Sequence, residues 1–202
     1  QKVYIAINVT IEMKKLKNVD ITIFNETYGK VLQYFFAFPE QAIGLTDLAT
    51  AVSSSKTTTK ETVMHLVNEK FLQKEEVGKA WRISAVSRHS YQITRKMPSH
   101  LRLIYETGIV DAIREKIPSL KAIILFGTYR WGTDNEKSDI DIAVEILGNE
   151  NPVITCLGKI DFGYRKGVIV NLFIFSRNKI DLNLFNNIAN GIVLDGLLEV
   201  KP

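Results

Sequence analysis

The sequence predicts an α+β protein in two parts, and three observations carry that expectation. Residues 21–86 hold helix-period apolar patterns followed by two short extended pieces around a glycine. Residues 119–202 hold apolar, β-branched runs separated by turns and helical patterns. Between Ala122 and Glu145, two apolar runs are joined through Gly127-Thr128 and a pair of aspartates one residue apart, Asp139 and Asp141.

A chain of 202 residues has room for two small cores. Its 46% hydrophobic and 24% charged content is globular, which excludes wholesale disorder. A net charge of +4 permits nucleic-acid contact without arguing for it. The distribution is more informative: no Asp or Glu falls between Val77 and Tyr105, whereas Lys79, Arg82, Arg88, Arg95, Lys96 and Arg102 do. That surface is either a solvated face or one that meets phosphates. Cys156 is the lone cysteine, so an intrachain disulfide framework and a cysteine zinc site are excluded, and a reducing, cytoplasmic location is expected. No apolar run reaches the roughly 18 residues of a membrane span, and residues 1–7 lack the pattern of a signal peptide, so no membrane association is expected. His65, His89 and His100 are scattered, without metal-ligand spacing.

Residues 1–20 form a lead-in. Val3, Ile5, Ile7, Val9 and Ile11 alternate with more polar residues at strand period. An edge strand, a dimer contact and an unordered lead-in all remain open for it. Asn25 suits the N-cap of a first helix with Val31, Leu32, Phe35 and Phe36 on its apolar face, ended by Pro39. Thr46 suits the cap of a second, short helix carrying Leu45, Leu48, Ala49 and Val52. Ser53-Ser54-Ser55 breaks it. Thr58-Thr59-Lys60-Glu61 has the form of a capping box for a third helix with Val63, Leu66, Val67 and Phe71 on one face. Two extended pieces, 72–77 and 80–84, meet at Gly78-Lys79, a hairpin signal.

Three helices, a tight turn and a hairpin in this order resemble the winged helix-turn-helix domains of transcription regulators over residues 21–86. The resemblance implies DNA as a partner and the third helix as the recognition helix. Lys56, Thr57, Thr59 and Lys60 would then face the duplex, with Lys79 at the wing tip and Arg82 on the backbone. The same fold also docks proteins, and Glu61 and Glu69 on that helix speak against DNA.

Residues 87–118 read as a helical linker, interrupted at Pro98, recapped by Ser99 and broken at Gly108. Beyond it lie the central motif, a helical reading of residues 152–163, a buried strand over 167–175, a helix over 181–189 and a short strand over 191–196.

Asp139 and Asp141 are two apart, so on a strand both carboxylates share one face, with Cα atoms roughly 6–7 Å apart. Such a pair can bracket one Mg²⁺ or share two. Alone it is weak evidence. Upstream, however, Gly127 permits a sharp turn after a buried strand and Thr128 offers a hydroxyl at a helix start, where exposed N–H groups favour phosphate. Gly132 permits close approach one turn later, and Ser138 can bond a phosphate or orient the carboxylate.

The pattern Phe126-Gly127-Thr128, Gly132, Ser138-Asp139-Ile140-Asp141 resembles the nucleotidyltransferase superfamily with the DNA polymerase β palm-like fold. It looks most like the minimal nucleotidyltransferases, including antitoxins found beside HEPN-type toxins. The resemblance implies that Asp139 and Asp141 are catalytic and bind Mg²⁺, and that Gly127, Thr128, Gly132 and Ser138 hold an NTP, ATP by preference. A nucleotide, AMP, would pass to a protein or nucleic-acid hydroxyl with release of pyrophosphate. It also implies a HEPN-type toxin as a protein partner; whether a second copy of the chain is a partner as well stays open. The family carries a third carboxylate on the next core strand, and the matching position here is Asn171. Asparagine cannot serve as a base, although its amide oxygen can ligate a metal weakly. Glu145 lies roughly 13 Å along the strand, too far to substitute, and Asp161 sits in the preceding segment. The alternative is therefore a DNA-binding regulator or antitoxin with a nucleotide-binding but catalytically impaired domain.

Overall fold

The computed structural model describes residues 26–200. The lead-in pattern of residues 1–20 and the Asn25 cap lie outside them. The first helix, α1 (Thr27–Ala37), buries Val31, Leu32, Phe35 and Phe36 as its spacing requires. A short strand β1 (Ala42–Gly44) follows, then α2 (Leu45–Ala51), α3 (Lys56–Asn68), and a hairpin of β2 (Leu72–Val77) and β3 (Ala80–Ala85). The three strands form one sheet in the order β1-β3-β2. Leu48, Val63, Leu66, Phe71, Leu72 and Ile83 close a core with α1.

Two expected caps move. α2 starts from Gly44, and Thr46 lies inside its first turn. α3 starts from Ser55, whose Oγ accepts from the Thr58 amide at 3.0 Å. A serine three residues upstream satisfies that orphan N–H group first, so the expected box at Thr58 falls inside the helix. Thr59, expected at a DNA surface, is fully buried, and its hydroxyl donates to the Ser55 carbonyl at 2.8 Å. It cannot touch a duplex.

A π-helical turn, Gln92–Lys96, runs directly into α4 (Met97–Glu106). Pro98 therefore does not interrupt the helix. It sits in the first turn of α4, where a missing N–H costs least. Ser99 is not a cap; its hydroxyl accepts from Gln33 Nε2 of α1 at 2.6 Å. α4 and α5 (Ile109–Lys116) part at Gly108. These helices of the expected linker bury Leu103, Ile104, Ile109 and Ile113 against the second sheet.

That sheet has five strands in the order β6-β7-β5-β4-β8. β4 (Leu120–Phe126) is followed by α6 (Gly127–Trp131), β5 (Ile140–Ile146), β6 (Val153–Phe162), β7 (Arg165–Ser176), α7 (Leu182–Ala189) and β8 (Ile192–Gly196). Residues 152–163 are thus a strand, not a helix. Val153, Ile154, Thr155 and Ile160 favour extended backbone, and β6 closes an antiparallel ladder onto β7. β5 and β7 run parallel, while the β4–β5, β4–β8 and β6–β7 pairs are antiparallel.

Alternation splits the sheet's side chains between two cores. Ile123, Leu125, Ile140, Ile142, Val144, Val170 and Leu172 meet α4 and α5. Ile124, Ala143, Phe173 and Phe175 meet Ile188 of α7. The second face also buries a charge: Glu145 is 2% exposed, and Arg177 forks onto both its oxygens at 2.8 and 3.1 Å. Replacing Arg177 with Met leaves that carboxylate buried and unpaired, and should cost about 3–5 kcal/mol. Replacing both residues with Leu should recover most of the loss, as urea melts of the three proteins will read.

Candidate functional site

The register of β5 against β7 places Asp141 opposite Asn171. Buried neighbours on both sides, Ile140↔Val170 and Ile142↔Leu172, hold that register, because a one-residue slip would turn them out of the core. Asp139 stands one residue before β5 begins. Asn171 bridges the two acids: its Nδ2 donates to Asp141 Oδ1 at 3.1 Å and lies 3.4 Å from Asp139 Oδ2. Burial raises the Asp141 pKa, and the Asp139 charge adds to the rise, against the Asn171 hydrogen bond, which lowers it. A cation between the acids would relieve that strain. Mg²⁺ commonly takes one or two carboxylates and completes its shell with water and phosphate oxygens. The donor set of Asp139, Asp141 and, with its amide turned, the Asn171 oxygen fits such an ion. No cluster of three His, Cys, Asp or Glu side chains suited to a metal occurs among the described residues.

β4 delivers Phe126 beside Asp141, and the chain turns at Gly127. Gly127 has φ +72°, and a Cβ there would lie 2.6 Å from Asp141 Oδ2. Only glycine lets the backbone pass this close to the carboxylate. Exposed Thr128 opens α6 beside it. α6 is only five residues long, so its dipole contributes little and the free N–H groups themselves matter. Gly127, Thr128, Asp139, Asp141 and Asn171 therefore converge. Gly132 and Ser138 do not join them in the expected way. The space a Gly132 Cβ would need is filled by the Gln92 carbonyl, so this glycine serves the contact with the π-turn. The Ser138 hydroxyl accepts from the Asn135 amide at 3.0 Å and closes its own turn.

The loop 132–139 that carries Asp139 is held from two sides, by Arg165, which the sequence does not single out, and by Lys96, expected on an exposed basic surface but only 2% exposed. Arg165, buried at the start of β7, donates to the carbonyls of Glu136 at 3.0 Å and Ser138 at 2.6 Å, and to the Tyr129 hydroxyl. From the other side Lys96 donates to the Asp134 carbonyl at 2.6 Å. The Asp134 carboxylate, 2% exposed, sits 3.2 Å from Lys96 Nζ and 3.5 Å from His100 Nδ1. Asp134 Oδ1 has no well-angled hydrogen bond, so the Lys96 contact acts by charge, beside a His100 that burial keeps neutral. Burial lowers the Lys96 pKa, with Asp134 opposing. An Arg at a strand start and a Lys at a helix start carry no local signal, because their meaning comes from residues dozens of positions away.

On the N-terminal unit, Lys56, Thr57, Lys60, Lys79 and Trp81 line one groove of about 620 Å³. Lys60 Nζ lies 5.5 Å from the Trp81 ring centroid. Arg82 is not among these residues: it projects from the opposite face of β3, 3.7 Å from Glu75. Asp161 stays at its own hairpin, bonded to Lys166 Nζ at 3.0 Å.

Residues 107–181 match the family model described as nucleotidyltransferase domain. A curated relative, protein adenylyltransferase MntA of Shewanella oneidensis, is 46% identical over 44 residues, which cover 22% of this chain and 32% of that protein. The aligned stretch thus spans well under half of the relative. These matches support a domain of the nucleotidyltransferase superfamily in the C-terminal part. No helix among the described residues is long and apolar enough to cross a membrane.

Burial drives the His100 pKa from 6.5 to about 4. The folded protein thus binds fewer protons at this site than the unfolded chain between those values. Stability is unaffected by His100 above pH 6.5 and falls as pH drops toward 4, by up to about 1.4 kcal/mol per pH unit. Melts at stepped pH should show a shallower acid loss in His100→Gln than in the wild type.

Proposed function

We propose that this protein binds an NTP with Mg²⁺ between Gly127-Thr128 and the Asp139/Asp141 pair, and transfers a nucleotide to a protein hydroxyl. The observation that carries this reading is the meeting of both carboxylates with Asn171 beside a turn that only glycine can make. Adenylyl transfer to protein is favoured because the MntA relative is named a protein adenylyltransferase.

In this reading the Gly127-Thr128 amides take phosphate oxygens, and Asp139 and Asp141 hold the ion, which would supply charge neutralisation at the α-phosphate. Asn171 orients both carboxylates by its amide N–H groups. It holds no proton-accepting charge, so the acceptor hydroxyl meets no base at position 171. Nucleotide retention is favoured over rapid turnover. A co-encoded HEPN-type toxin is the protein acceptor we would test first.

Isothermal titration should show ATP binding that requires Mg²⁺ and disappears in Asp139→Asn/Asp141→Asn. Transfer of labelled AMP to the partner should rise in Asn171→Asp, which restores a carboxylate. Loss of a positioned carboxylate or base typically costs about 10²–10⁴-fold, so a gain within that range is the expected size. Magnesium-independent binding, or full binding by the double variant, would remove this reading.

A second reading rests on the groove of Lys56, Thr57, Lys60, Lys79 and Trp81. The order helix, strand, helix, helix, hairpin supports a winged helix-turn-helix, and three lysines on one face suit a DNA backbone. Lys56→Ala/Lys60→Ala should weaken retention of duplex DNA from the protein's own promoter region at low salt. Arg82→Ala should not, because Arg82 faces the other way.

A further inference from the structure

We propose that Arg165 is a positioning residue for the carboxylate pair, fixing where Asp139 enters the site; the inference rests on the metal–nucleotide reading above. Arg165 stands at the first position of β7, on the stretch of that strand which extends past the start of β5. Its guanidinium therefore faces the loop that leads into Asp139. Three acceptors surround it: the Tyr129 hydroxyl, the Glu136 carbonyl and the Ser138 carbonyl.

The Ser138 contact is the decisive one. The Ser138 carbonyl and the Asp139 amide belong to one rigid peptide plane. A donor held on that oxygen at 2.6 Å fixes the orientation of the plane, and so the direction in which the Asp139 side chain leaves it. Asp141 needs no such help, because the β5–β7 ladder already places it. Asp139 lies outside the ladder and depends on the loop. The guanidinium is 8% exposed with its residue, so these bonds are largely shielded from competing water. A planar donor fork can serve three acceptors in different directions, which an ammonium on the same stem cannot do without swinging.

Lys96 does not do this. It holds the Asp134 carbonyl, five residues upstream, and steadies the far end of the loop. Arg165 itself does not touch the proposed metal position, so its action runs through the Ser138–Asp139 peptide.

The test compares wild type, Arg165→Gln, Arg165→Lys and Tyr129→Phe in two measurements. The first is hydrogen exchange of the ligand-free protein. Exchange of residues 135–139 should accelerate in Arg165→Gln while β4, β5 and β7 stay protected, with Arg165→Lys intermediate and Tyr129→Phe close to wild type. The second is Mn²⁺ affinity in the presence of ATP, read by electron paramagnetic resonance. Removal of a residue that orients a metal ligand typically costs about 10–100-fold, and that loss is expected for Arg165→Gln. Should Arg165→Gln fail to fold, Arg165→Lys carries both measurements. Unchanged exchange at 135–139, or unchanged Mn²⁺ affinity in a protein whose wild type binds Mn²⁺–ATP, overturns the proposal. If the wild type takes up no Mn²⁺–ATP, the metal–nucleotide reading falls, and exchange at 135–139 alone decides whether Arg165 positions Asp139.

Discussion

The parallel register of β5 on β7 is the constraint from which the site follows. Asp141 and Asn171 are polar residues flanked on their strands by apolar ones, and nothing in their own chemistry would choose this pairing over its neighbours. The choice is made by Ile140, Ile142, Val170 and Leu172, each buried on the face toward α4 and α5. Because side chains alternate along a strand, burying these four obliges Asp141 and Asn171 to point the other way. A slip of either strand by one residue would turn its apolar pair away from α4 and α5 and drive its polar residue into that core. The core thus places the carboxylate, and the carboxylate's raised pKa reflects how close to that core it stands.

The second requirement is a loop that does not drift. Asp139 gains nothing from the ladder, so its position depends on loop 132–139, and this loop is secured by buried cations at both ends. Arg165 grips the carbonyls near Asp139, and Lys96 grips Asp134. Burying such cations is costly unless each donor finds an acceptor. Backbone carbonyls meet that need for Arg165, and for Lys96 the Asp134 carboxylate adds a counter-charge. The hydrogen bond from Asn135 Nδ2 to Glu40 at 3.1 Å ties the same loop to the N-terminal unit. Tyr34 of α1 meets Tyr164, the neighbour of Arg165, with ring centroids 5.6 Å apart. The loop is therefore tied to the N-terminal unit as well as to the helices and strands of the second sheet.

Much of this was legible in the residues, and the failures have physical reasons. Gly127, Thr128, Asp139, Asp141 and Asn171 were readable because local geometry makes their demands local: a turn, a period-2 pair, the next apolar strand. Segment 152–163 was misread because strand and helix patterns overlap in a short run containing polar residues, and only pairing with β7 decides it. Pro98 was misread as a break because a proline in a first turn and a proline that ends a helix differ only in what precedes them. Thr59 faces inward because Ser55 caps the helix at the Thr58 amide and moves its start upstream, and the Thr59 hydroxyl is then satisfied by the Ser55 carbonyl. Arg165 and Asp134 leave no local mark, and Lys96 shows only as one cation of an acid-free stretch, expected at the surface although it is buried. Each gains its role from a partner 27 or more positions away, and no window along the chain contains both.

Asn171 sets the charge balance of the site. On the metal–nucleotide reading proposed above, two carboxylates with one divalent cation would come to neutrality, and a triphosphate would then add its own negative charge. A third carboxylate would deepen that repulsion and would in exchange offer a base. The amide gives up the base and relieves the repulsion. It also donates to both acids, which holds them together where bare like charges would part. The structure is consistent with that trade-off: the pair is half-buried, mutually repelling, and bridged by one neutral donor. On the reading proposed here, such a site holds nucleotide firmly and reacts slowly. A protein that must change state with nucleotide occupancy, or modify a tightly bound partner once, needs the first property more than speed.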